Sequence, residues 1–270
     1  MTGTLANYRE ARGLGIAFAL CAWATLTLLA NHPNAGAHDL ADFIKEEARN
    51  QFIDGLVHGG FIATQGALSV CLLLLSRRLG SDRVPVVIAV VAFFIGCGAL
   101  MASMILDGFA SPAIAARLAG TDSADNLLMA KTLLILVGTL IRFLMPMGIL
   151  LQSVALLAWS AVIAQAGGMP RAVGVFGSVA AVALIVVLLA APVTMTTHVL
   201  LGGILLQATW YLALAALLLA QQVTQREHEC EPDDGNDRLH DRPRAERGRR
   251  VDAQIAFYEP EPGIVDVGEE

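Results

Sequence analysis

The chain has 270 residues, of which 56% are hydrophobic and only 16% charged, against about 25% charged in an ordinary soluble domain. The formal charge of −6 is unevenly spread: from Gln221 onward seven Arg stand against fourteen Asp and Glu, so this tail sits near −7 and the rest near +1. An apolar, near-neutral body excludes a typical soluble enzyme, and it offers no basic surface for nucleic acid.

The apolar residues fall in runs of about 20, the length that crosses a ~30 Å hydrocarbon core as a helix. Lipid cannot satisfy backbone polar groups, so such runs are expected to be helical. The short alternating segments of an outer-membrane barrel do not occur. Arg outnumbers Lys sixteen to two, as in proteins of GC-rich bacteria. Cys21, Cys71, Cys97 and Cys230 form no CxxC pair, and the first three read as small buried hydrophobes.

The first run, residues 13–30, follows Arg9 and Arg12, which belong on the cytoplasmic side. Ala35-Gly36-Ala37 resembles a cleavage site. The run is longer than the 7–15 residues of a usual signal core, which favours an uncleaved anchor. Residues 38–54 then form an amphipathic outer helix, with Asp39, Asp42 and Glu46 on one face.

The second span, 56–75, ends at Arg77-Arg78. Pro85 suits the first turn of the third span, 86–106, which Asp107-Gly108 and Ser111-Pro112 are expected to terminate. Residues 127–144 are interrupted by Lys131 and Arg142, so they are expected to lie at the outer surface, with the fourth span at 143–163. The fifth and sixth spans are 172–191 and 197–220, and residues 221–270 form a disordered tail. The fold expected is an all-α bundle of six transmembrane helices in a bacterial inner membrane, with both termini cytoplasmic, as the positions of the arginines require.

Within the second span Gly55, Gly59, Ala63 and Ala67 recur every fourth residue. Small residues at that spacing make a helix-packing seam, for the bundle, a homo-oligomer or a membrane protein partner. His58, Asp107 and His198 stand at similar depth near the outer ends of three spans. Ionisable groups there are costly and tend to face protein or water. Asp54 lies one turn before His58 and is placed to orient its ring, while Gln65 extends the polar track inward. His32 and His38 read as solvated loop residues.

Imidazoles with the thioethers of Met104 and Met195 suit copper, and two imidazoles, His58 and His198, suit haem iron. No phosphate loop, nucleophile elbow or HExxH occurs. The expected function is therefore an accessory or scaffold subunit with a polar site near the periplasmic face, with a haem or copper redox protein and a small-solute transporter as alternatives.

Overall fold

The computed structural model describes residues 2–32, 39–118, 123–190 and 197–230. The side chains of residues 2–9, 124, 197–200 and 221–230 lie outside the description. The chain divides into two units, Met1–Arg226 and Glu227–Glu270. In the second unit only residues 227–230 are described, as helix, so the expected disordered tail lies almost wholly outside the described residues.

The helices are α1 (Thr2–Ala30), α2 (Leu40–Leu79), α3 (Val84–Ile105), α4 (Ser111–Leu118), α5 (Ala124–Ala164), α6 (Gly168–Ala190) and α7 (Thr197–Cys230), with a π turn at Leu106–Ala110 between α3 and α4. Six helical stretches are long and apolar enough to cross a membrane: Glu10–Ala30, Leu40–Leu79, Val84–Leu118, Asp125–Ala164, Gly168–Ala190 and Leu201–Ala220. Large apolar side chains such as Leu20, Val70, Ile95, Val179 and Leu189 remain exposed along these stretches. That pattern is suited to lipid rather than water.

Three boundaries differ from expectation. The amphipathic segment and the second span are one helix, α2, of 40 residues. Asp39 starts it by accepting the Asp42 N–H at 2.8 Å, and no proline falls between Pro33 and Pro85 to interrupt it. Residues 127–144 likewise continue into the fourth span as α5, of 41 residues, with Pro146 inside it. Lys131 and Arg142 are exposed, so they reach out from the helix surface without breaking it. Each of these helices is about 60 Å long, twice the hydrocarbon thickness.

The third difference lies after α3. The helix does not stop at Asp107-Gly108 but widens by one residue and runs on into α4. Pro112 explains the widening. It has no N–H for the Gly108 carbonyl, and its ring crowds that carbonyl in a regular α-turn. The Ser111 N–H instead bonds the Leu106 carbonyl five residues back.

Two apolar clusters result. The main core joins α1, α2, α3, α5, α6 and α7 through Phe18, Leu72, Phe93, Trp159, Ala181 and Trp210. Trp159 Nε1 donates to Ser76 Oγ at 2.9 Å, and Ser76 Oγ donates to the Leu72 carbonyl at 2.7 Å. A smaller cluster of Ile44, Ala115 and Ala130, flanked by Leu40, Leu118 and Leu134, ties the first turns of α2 to α4 and to the first half of α5. It forms a cap at the end of the bundle where α1 finishes.

The residues of the expected packing seam meet different surroundings. Gly55 and Gly59 face the Phe109 ring, whereas Ala63 and Ala67 are exposed. Phe109 is brought there by the π turn, so the stripe is split between a side-chain contact and the outer surface. The close backbone approach lies elsewhere, between α3 and α5. A Cβ on Gly96 would stand 2.8 Å from the Gly148 carbonyl oxygen, and one on Gly148 2.9 Å from that of Gly96. Trp23 is 67% exposed, while Trp159 and Trp210 are buried.

Candidate metal centre

Three elements meet where the cap joins the main bundle. The residues just past α1 carry His32, α2 carries His58, and the π turn carries Asp107. Their ligand atoms all lie within 4.8 Å of one another. His58 Nε2 stands 3.3 Å from His32 Nε2 and 3.2 Å from Asp107 Oδ2. His58 is 2% exposed, and the Asp107 side chain is 37% exposed. One wall of the cluster is therefore protein, and the other opens outward.

The local sequence makes this meeting possible. The π turn gives Asp107 a helical position that a regular turn does not. Gly108 then lies directly against the His58 ring, and a Cβ on Gly108 would collide with the ring and its own Cβ. Only glycine lets the two backbones approach this closely.

The tautomer of His58 follows from its other nitrogen. Nδ1 lies 2.9 Å from the backbone carbonyl oxygen of Asp54. That oxygen can only accept, so Nδ1 carries the proton and donates it. In the neutral ring Nε2 is then a bare lone pair directed at a carboxylate oxygen and a second imidazole. Such a convergence of lone pairs is repulsive unless a proton or a cation sits among them.

The spacing suits a metal ion. Arms of 2.0–2.1 Å at tetrahedral angles give ligand-to-ligand edges of about 3.3 Å. The two measured edges are 3.3 and 3.2 Å. The backbone carbonyl behind Nδ1 is the usual way to fix a metal-binding imidazole in its tautomer and orientation. Three protein ligands leave a fourth position open toward Asp107, the exposed side.

The expected site residues separate into two groups. His58 and Asp107 come together. Asp54 does act on His58, through its backbone carbonyl rather than the expected carboxylate. His32, expected to be solvated, is in the cluster, with its ring edge-on to that of His58 at a centroid distance of 5.0 Å. The signal for it was position: His32 falls two residues past the first span, at the level where α2 begins its own crossing. His198 opens α7, but its side chain is outside the described residues, as is all of Met195.

Gln65 and Met104 face another place. Both line a partly open cavity of about 40 Å³ among α1, α2, α3, α5 and α7. Gln65 Oε1 accepts from Gln152 Nε2 at 3.1 Å.

Haem does not fit this geometry at the histidine pair. Axial imidazoles approach iron from opposite faces of the macrocycle, and rings 5.0 Å apart at 73° leave no plane between them for a porphyrin. No protein-family model matches this chain, and no curated protein or solved structure does either.

Proposed function

We propose that this chain is a multi-pass inner-membrane protein that binds a zinc or copper ion at its periplasmic end through His32, His58 and Asp107. The observation that carries the reading is the convergence of three ligand atoms from three separate elements within 4.8 Å, with both edges at His58 of tetrahedral length and the Asp54 carbonyl fixing the His58 ring. The placement of arginines supports the orientation: Arg77, Arg78 and Arg83 flank the turn at the opposite end of the bundle from the cluster. Both termini are then cytoplasmic.

The chemistry available is coordination. Imidazole and carboxylate together suit zinc and copper. The open fourth position admits water or an incoming ligand. Protons compete for the same lone pairs, so binding weakens in acid.

The test is metal content. Full-length protein purified in detergent and dialysed against buffered Zn²⁺ or Cu²⁺ is expected to retain about one ion per chain. His58→Ala and Asp107→Asn are expected to lose it while eluting as the same folded species. Retention of the same metal by both variants would overturn the reading, as would a wild-type protein that holds none at pH 7.5.

A further inference from the structure

Three residues before Asp107, Met104 lies away from the outer cluster and lines the cavity of about 40 Å³. Met145 of α5 lines it from the facing side, with Gln65 of α2 and Gln207 of α7. Gln207 is 7% exposed, and its Nε2 has no hydrogen-bond partner among the described residues. A buried amide left unpaired is costly, so a group of that kind calls for an occupant. The void exceeds the ~10–15 Å³ that a single water needs.

The lining decides the class of occupant. Its thioethers are soft ligands, and they select Cu(I) among biological ions. A half-turn of the Gln207 amide presents Oε1 in place of Nε2, which turns an unpaired donor into a ligand oxygen. No carboxylate, ammonium or guanidinium lines the cavity. The cost of moving an ion into such a neutral site grows with the square of its charge, so a monovalent ion is favoured over a divalent one.

We propose that this cavity is a second metal site, specific for Cu(I) and built on Met104 and Met145, to which the outer cluster passes its ion. The inference rests on the metal-binding reading of the outer cluster and narrows the metal to copper. Asp107 and Met104 are three residues apart on one continuous helical path, a rise of about 4.5 Å. The same helical path therefore carries an oxygen ligand of the outer cluster and a sulfur ligand in neighbouring turns. No electron is transferred in the hand-over, because the ion enters and leaves as Cu(I).

The probe is Ag(I), which has the charge and ligand preference of Cu(I) and does not change oxidation state. Full-length protein in detergent is loaded with Ag(I), desalted and analysed for silver per chain, and the ligands are read by X-ray absorption. Wild type is expected to hold two ions, with sulfur neighbours in the spectrum. The Met104→Leu/Met145→Leu variant keeps the side-chain volume and is expected to hold one ion fewer, with the thioether signal reduced. His58→Ala/Asp107→Asn is expected to keep the sulfur-bound ion and lose the other.

Unchanged silver content and spectrum in the methionine variant would overturn the cavity site whatever the histidine variant does. Loss in the methionine variant with no loss in the histidine variant would instead overturn the outer reading and the hand-over, leaving a cavity site alone.

Discussion

The main core and the cap handle polar groups in opposite ways. In the main core Thr64, Ser69, Ser76 and Ser153 turn their hydroxyls back to carbonyls four residues earlier on their own helices, and few polar side chains bond across helices. In the cap region the helices meet through charge-bearing groups: His58 touches His32 and Asp107, and the apolar cluster above them rests on Ile44, Ala115 and Ala130. The difference follows from the solvent. Deep in lipid a polar side chain costs least when its own helix satisfies it. Where helices emerge, nearby water lowers the cost of ionised groups, and a bundle can assemble them. The cap region is therefore where ionisable groups from separate helices gather, and the core holds those helices in place.

Several substitutions break or sharpen this contrast, and the largest effect is expected in the frame. Trp159→Ala removes a fully buried ring and its bond to Ser76. It is expected to destabilise the protein by about 3–5 kcal/mol, read as a fall in the thermal midpoint in detergent. Metal affinity of the protein that remains folded should not change. A parallel loss of affinity would show that frame and cap are not separable.

In the cap the balance reverses. His58→Ala is expected to weaken zinc binding by at least 100-fold, about 2.8 kcal/mol, by competition with a chelator, with a smaller effect on the midpoint than Trp159→Ala. Gly108→Ala sits between the two. Its Cβ meets the His58 ring, so a stability loss of about 1–3 kcal/mol is expected together with loss of metal. Gly98→Ala, which has open space around its Cβ, is the matched control and is expected to change neither.

Acid sharpens the comparison further. An imidazolium must lose its proton before it can bind a metal ion, so zinc affinity is expected to fall as the pH is lowered. Titration calorimetry between pH 5 and 8 checks the slope, and a flat profile would remove histidine from the site. The smallest effect is expected for Ser76→Ala, about 1 kcal/mol, since it leaves Trp159 Nε1 without its acceptor.

The polar pairs at Gln65–Gln152 and at Trp159–Ser76 show what was legible and what was not. Gln65, Gln152 and Trp159 were recognisable as polar or amphipathic groups inside spans, whereas Ser76 falls just past the expected end of the second span. Which of them meet depended on helix rotation, and rotation is set by packing that no single run encodes. The same holds for Gly96 and Gly148, which carry a close approach of two backbones, whereas in the regular stripe at Gly55–Ala67 only Gly55 and Gly59 meet a neighbouring element.

What the sequence determined by itself was the number of long apolar helices, though not where α2, α3 and α5 begin or end, because hydrocarbon thickness and backbone hydrogen bonding leave a run of twenty apolar residues little choice. It also placed His58 and Asp107 at one depth, since depth along a helix is counted in residues. The tertiary structure alone decided that His32 joins them, that Asp54 acts through its backbone, and that Met104 turns toward a cavity rather than the cluster. Those facts depend on the azimuth of each helix and on one π turn forced by Pro112, and a linear count of residues contains neither.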